Sequence, residues 1–219
     1  MHIELPKKYI FIYNGKLLER IRRKYKPKTI KWFGSGDTIY WWKDIGIVKV
    51  QGLGSPNACI TLEELIAVGG KKFINIGTAG GLQNEGFFLC EKAIRDEGTS
   101  YHYIPHGHFS FTDPTLTKKL GKCMNEAGLT YEKGITWTVD APYRETKAEV
   151  ALYKKQKIST VEMEASALFA VAKVRKVKIA SAFVVSDVLG KKWVPKFGHV
   201  NVKRGLDKLF EAALYALSD

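Results

Sequence analysis

The stretch Lys72-Phe73-Ile74-Asn75-Ile76-Gly77-Thr78-Ala79-Gly80-Gly81 decides the fold. Residues 72–76 form a short run with aromatic and β-branched side chains, which reads as a strand. Residues 77–81 are small, with glycine at three of five positions and one hydroxyl, from Thr78. A strand that ends in glycines lets the backbone approach a ligand closely, because no Cβ stands in the way. The plainer reading is a tight strand-to-loop turn. No Gly-Lys-Ser/Thr triplet follows, so the segment is not a phosphate loop of the Walker type.

Working outward, the same strand-then-helix pattern recurs. Upstream, residues 9–13 are a short apolar run punctuated by Asn14-Gly15. Residues 16–26 carry Leu17, Leu18, Ile21 and Tyr25 at helical spacing. Residues 28–33 and 38–42 read as a hairpin around Gly34-Ser35-Gly36-Asp37, and residues 45–50 as another strand. The turn Gly52-Leu53-Gly54-Ser55-Pro56-Asn57 precedes a helix over 58–68. Downstream, strands are expected at 87–94, 134–138 and 179–186. A helix over 113–127 opens on Asp113-Pro114. Residues 158–162 lead into a helix through 174, and residues 200–217 form a closing amphipathic helix. No repeat or low-complexity tract interrupts this order. Strands alternating with helices predict an α/β protein, one domain over 1–219, with a central sheet covered on both faces. Ligands then sit outside the carboxyl ends of the strands.

Composition sets further bounds. Hydrophobic residues are 45% of the 219 and aromatics 12%, enough for a large core and too many for a disordered chain. No apolar run is long enough for a transmembrane helix, and the first residues lack a signal-peptide layout. The expected address is the cytoplasm, with no membrane partner. Cys59, Cys90 and Cys123 are far apart and form no Cys-x-x-Cys pair, so they read as buried, reduced thiols. The net charge of +13 is spread widely. Its densest cluster is Arg20, Arg22, Arg23, Lys24, Lys26 and Lys28, which reads as a solvated helix face and, alternatively, as a field gathering phosphate or nucleotides.

Three more constellations carry chemistry. In Val161-Glu162-Met163-Glu164-Ala165 two carboxylates flank a thioether where a strand enters a helix. A carboxylate there can accept hydrogen bonds from vicinal hydroxyls, and Met163 can lie against an apolar ring face; the alternative is acids favouring a helix N-terminus. In Val184-Val185-Ser186-Asp187 an acid follows an apolar strand, placed to protonate a leaving group or to cap the next segment. Residues 137–146 join Trp137, a stacking face, to Arg144, a planar donor fork; the alternative is a core Trp and a surface loop. His106-Gly107-His108 lacks a third ligand, and no metal site is expected. Trp41-Trp42 reads as core or subunit interface.

In this order and spacing the motifs resemble the nucleoside phosphorylase family, which includes uridine phosphorylase, bacterial-type purine nucleoside phosphorylase and methylthioadenosine nucleosidases. The resemblance runs from about Val48 to Gly190. It rests on Gly52-Leu53-Gly54-Ser55-Pro56 with Glu63-Glu64-Leu65, on Ile76-Gly77-Thr78-Ala79-Gly80-Gly81, on Val161-Glu162-Met163-Glu164-Ala165 and on Ser186-Asp187. It implies a single-domain phosphorylase-like α/β fold with a central mixed sheet flanked by helices. It also implies a homo-oligomer (dimer, trimer or hexamer), no metal and no cofactor. By position, Gly77 and Thr78 would meet phosphate and ribose, while Glu164, with Glu162 beside it, would hold the ribose hydroxyls. Met163 would pack beneath the sugar, Trp137 would stack on the base, and Arg144 resembles an arginine that holds a uracil carbonyl. Asp187 would serve the base nitrogen as the catalytic acid, which favours a purine. His2 resembles a histidine that reaches a neighbour's ribose in some members, and the plainer reading is a disordered terminus.

The pattern departs from the family at the phosphate site. Asn75 stands where an arginine is usual, and Asn14-Gly15-Lys16-Leu17-Leu18-Glu19-Arg20 replaces a Gly-Asp-Pro-x-Arg turn. Arg20, Arg95 and Gly15 are the candidate substitute phosphate contacts, with Lys16 as another. The first expectation is a phosphorylase taking a purine ribonucleoside and inorganic phosphate to free base and ribose 1-phosphate. The second is a hydrolytic nucleosidase acting on a nucleotide or thio-nucleoside, with Glu19 activating water; uridine phosphorolysis is a further alternative. A binder of nucleosides or nucleic acid without catalysis comes last.

Overall fold

The computed structural model describes residues 5–31, 38–189 and 193–218. His2, the turn residues 34–37 and Gly190 lie outside them. The strands are β1 (Lys8–Ile12), β2 (Lys28–Lys31), β3 (Thr38–Trp42), β4 (Ile45–Lys49), β5 (Lys72–Gly81), β6 (Phe87–Asp96), β7 (Phe109–Phe111), β8 (Tyr131–Val139), β9 (Thr160–Glu162), β10 (Lys178–Val188) and β11 (Val194–Pro195). The helices are α1 (Gly15–Tyr25), α2 (Ser55–Ala67), α3 (Pro114–Glu126), α4 (Lys147–Lys155), α5 (Ala165–Arg175) and α6 (Val200–Leu217).

The strands form one mixed sheet in the order β11-β10-β6-β8-β9-β5-β1-β4-β3-β2, with β7 on β6. A second pairing, β10 with β5, joins β5, β10, β6, β8 and β9 into a closed ring. Strands β1, β4, β5 and β10 run parallel, so their carboxyl ends gather at one edge. Two large cores lie on the two faces. One holds Ile10, Ile74 and Ile76 against Leu120 of α3 and Leu206 and Leu209 of α6. The other holds Phe11, Phe73 and Ala79 against Leu62 of α2 and Leu168 of α5. The alternation along β5, Phe73 to one side and Ile74 to the other, is the period of two of a strand buried on both faces.

Local chemistry explains the element ends. The Asn14 side chain accepts from Leu17 N at 2.9 Å and opens α1, and Asp113 does the same for α3 through Leu116 N at 2.7 Å, with Pro114 next. The sequence reading missed α4. Its signal was present: Thr146 and Glu149 form a reciprocal capping box.

One expectation needs correction. β5 does not stop at Ile76 but runs on to Gly81, because residues 77–81 pair with β10 and the last two also with β9. Packing against the neighbouring strands also requires these small residues. A Cβ on Gly80 would fall 2.6 Å from Leu189 Cδ1 and 2.9 Å from Val161 Cγ1. All three cysteines are buried, and burial pushes their thiols up, away from reactive thiolate.

Candidate functional site

Two polar clusters form where the parallel strands end, and β5 links them. The first surrounds Glu164. A buried carboxylate, Glu164 accepts from Gly54 N at 2.7 Å. Gly54 has φ of 89°, which suits a residue without Cβ at the start of α2. Ser55 Oγ donates to Met163 O at 2.8 Å, so the loop before α2 grips the segment before α5 from both sides. Tyr13, just past β1, donates from its hydroxyl to Asn75 Oδ1 at 2.9 Å, and Asn75 Nδ2 donates to Ser181 Oγ at 3.2 Å. The Tyr13 ring lies against Gly77, where a Cβ would sit 3.5 Å away. Burial raises the Tyr13 phenol well above its ordinary value, and the nearby charges of Glu164 and Glu162 raise it further.

Glu162 and Glu164 divide their work. Glu162 Oε2 accepts from Glu164 N at 2.9 Å and Ala165 N at 2.7 Å, and its Oε1 accepts from Thr138 Oγ1 at 2.6 Å. Thr138 Oγ1 in turn accepts from Ser166 N at 3.0 Å. Glu162 thus satisfies N–H groups at the mouth of α5 that the helix leaves unpaired. Burial raises both carboxyl groups, and Glu164 further raises Glu162. Glu162 is a brace, and Glu164 is the acid it positions.

The second cluster surrounds Asp187, which pairs with Gly80 of β5 in the sheet register. Its Oδ1 accepts from Ser186 Oγ and its Oδ2 from Trp193 Nε1, both at 2.8 Å. Asp187 is buried, and its Oδ2 would be 3.6 Å from a Cβ on Gly80. Glu145 is half-buried after the 3-10 turn Pro142–Arg144, and burial first, then the charges of Asp187 and Glu149, push its carboxyl up to about 7. Thr78 is half-buried on β5 between the two clusters.

Other expected site residues are placed differently. Trp137 is corrected from a stacking face to a core residue. It is buried among Leu82, Ile94 and Ile158, its ring 4.5 Å from Tyr153, and its Nε1 donates to Asp96 at 2.8 Å. Arg95 is buried, and its guanidinium donates to Ser100 Oγ and to the carbonyls of Ile104, Pro105 and Gly107. Arg20 donates to Asp207 of α6 at 2.7 Å and to the carbonyls of Lys16 and Lys203. Both candidate phosphate cations are therefore engaged in holding the fold, which speaks against that role. Gly15 begins α1, Glu19 is exposed on the same helix, and Arg144 is exposed on its turn. The sequence reading assigned no role to Tyr13, Glu145 or Trp193. Tyr13 follows the first strand, and Trp193 lies six positions past Asp187, but no spacing rule singles out either. Among the described residues no His, Cys, Asp and Glu cluster could hold a metal ion. No helix there is long and apolar enough to cross a membrane.

Known proteins resemble the chain in both sequence and fold. It is 28% identical over 174 residues to a purine nucleoside phosphorylase of Plasmodium falciparum, covering 76% of this chain and 71% of that one. It is 27% identical over 186 residues to a uridine phosphorylase of Thermococcus kodakarensis, covering 77% and 64%. An uncharacterized protein of Acanthamoeba polyphaga mimivirus is 31% identical over 147 residues, 65% of this chain and 57% of that one. The chain therefore spans between about half and three quarters of these relatives. In fold it is similar to a uridine phosphorylase from Vibrio fischeri (TM-score 0.81, 24% identity, 98% and 90% covered). It is also similar to an AMP nucleosidase from Bacteroides thetaiotaomicron (TM-score 0.79, 21% identity, 96% and 88% covered). The profile of the phosphorylase superfamily matches residues 19–213, most of the sequence, and the chain belongs to that superfamily.

Proposed function

We propose that the protein cleaves the N-glycosidic bond of a nucleoside, with a purine as the preferred base. The observation that carries this is that two acids are separately fixed where the strands end, Glu164 held by Gly54 and Asp187 held by Ser186 and Trp193. Glu164 would accept hydrogen bonds from the ribose diol, with Met163 beneath the sugar and Thr78 on its other side. As the bond breaks, positive charge develops on the sugar, and a nearby carboxylate stabilises it. Asp187 would help the purine leave by serving its ring nitrogen.

Kinship with purine nucleoside and uridine phosphorylases supports inorganic phosphate as the acceptor, giving ribose 1-phosphate. Hydrolysis is the second reading, and a specific observation favours it. Asn75 lies in a neutral network with Tyr13 and Ser181, while Arg20 and Arg95 are committed elsewhere. A doubly charged anion needs charge-assisted donors that these residues do not offer. Incubation of the protein with inosine, adenosine and uridine, each with and without phosphate, decides. Base release only with phosphate establishes phosphorolysis, equal release in both buffers establishes hydrolysis, and no release from any nucleoside refutes the cleavage.

We also propose a homo-oligomer. Ile60 of α2, Phe111 of β7 and Val174 of α5 are exposed apolar side chains, and α5 packs against both α2 and β7, so a second copy can cover them.

A further inference from the structure

Glu97 is a buried carboxylate directly after β6, and it has no role so far. Its two oxygens serve two different elements. Oε1 accepts from Ser166 Oγ of α5 at 2.8 Å. Oε2 accepts at 2.9 Å from Ser100 N, at the start of the 3-10 turn Ser100–His102. Ser100 Oγ accepts in turn from Arg95 Nε at 2.9 Å, and the rest of that guanidinium holds the carbonyls of Ile104, Pro105 and Gly107. Glu97 therefore joins an already tied loop to the first turn of α5, the helix that Glu164 caps. Ser166 is gripped at three atoms. Its N–H donates to Thr138 Oγ1 at 3.0 Å, its carbonyl accepts from Ser110 Oγ at 2.7 Å, and its hydroxyl donates to Glu97. Thr138 donates to Glu162, which accepts from Glu164 N. Hydrogen bonds thus run unbroken from Arg95 to the backbone of Glu164, through side chains that are all buried.

We propose that Glu97 is the positioning residue for Glu164, and that discrimination of a ribose from a 2′-deoxyribose depends on it. The inference rests on the reading above in which Glu164 holds the ribose diol. Glu97 acts through Ser166 and not on the substrate itself. The first turn of a helix lacks intrahelical partners for its N–H groups, so outside acceptors decide where it stands. Here those acceptors are Glu162 and Thr138, and Glu97 adds the bond that ties the turn to the loop after β6. A buried network with every member satisfied is stiff. Removing Glu97 leaves the Ser100 N–H and the Ser166 hydroxyl without their acceptor, and the turn shifts to find others. A carboxylate that accepts from two vicinal hydroxyls must be held to within about 0.5 Å, so a small shift is enough to lose one of them.

The test uses Glu97→Ala and Ser166→Ala in the full chain, with Glu97→Gln as the conservative control. Ser166→Ala removes only a hydroxyl and carries the test if Glu97→Ala fails to fold. The first readout is amide hydrogen exchange at Gly54, whose N–H donates to Glu164 Oε1, and it needs no substrate. Leu116 N, held by Asp113 at the start of α3, is the reference. Both alanine variants should speed exchange at Gly54 about tenfold relative to Leu116. Glu97→Gln should recover most of that loss, because its amide oxygen can accept from Ser100 N while its N–H donates to Ser166 Oγ. The second readout is kcat/KM for inosine and for 2′-deoxyinosine, with phosphate present. The ratio of the two should fall about tenfold in the alanine variants, because only the ribonucleoside offers Glu164 both hydroxyls. Equal losses on the two nucleosides, or Gly54 exchange at the wild-type rate relative to Leu116, overturn the proposal. A Gln variant no better than Ala overturns it as well. A wild type that cleaves neither nucleoside overturns the cleavage reading, and Gly54 exchange then decides by itself whether Glu97 positions Glu164.

Discussion

Two residues apart in sequence, Glu162 and Glu164 differ in role because of what donates to them. Glu162 receives two backbone N–H groups and a threonine hydroxyl and has little left for a ligand. Glu164 receives Gly54 N–H on Oε1 and lies at the strand ends. Glu162→Ala should therefore lower the urea midpoint strongly, since each buried donor left unpaired costs roughly 1–3 kcal/mol. Glu164→Gln keeps the shape and an acceptor for Gly54. It should leave the midpoint unchanged or slightly raised, because burial already disfavours the charge. Nucleoside cleavage should nonetheless fall on the order of a hundredfold through loss of that charge. Denaturation and steady-state kinetics on the two variants separate brace from ligand.

At the scale of elements, β5 shows how one stretch can serve packing and site together. Its glycines continue the ladder to β10 and β9 instead of forming a loop. This keeps Asp187 opposite Gly80, and so fixes the second cluster relative to the first. Gly80→Ala would place a methyl group 2.6 Å from Leu189 and 2.9 Å from Val161, so one strand must shift. Overpacking of this kind costs roughly 1–3 kcal/mol. The expected outcome is a lower thermal midpoint together with slower cleavage, since the shift moves Asp187. An unchanged rate in a destabilised variant would show that β5 does not set the register of the site.

Across the whole molecule, the closed ring of five strands brings segments far apart in sequence into one edge, and helices clamp it from both faces. Arg20 belongs to that clamp, joining α1 to α6 through Asp207. The pair is partly exposed, so Arg20→Ala should cost about 1 kcal/mol or less. If the reaction uses phosphate, its KM for phosphate should stay at the wild-type value. A large rise in that KM with no loss of stability would return Arg20 to the site.

The amino-acid sequence by itself determined the α/β class, the closing helix at Val200–Leu217, the capped start of α3, and the strand-end motifs that carry the family resemblance. These follow from periodicity, caps and spacing, all local in the chain. It could not tell Trp137 the stacking face from Trp137 the core residue, nor Arg95 the phosphate ligand from Arg95 the loop anchor. Those outcomes depend on partners supplied from a distance: Tyr153 for Trp137, and the carbonyls at Ile104 and Pro105 for Arg95. Gly54 and Glu164 are 110 positions apart, and Tyr13 and Asn75 sixty-two. Only the tertiary structure brought each pair together, because a polar side chain takes its role from the donors and charges that folding places around it.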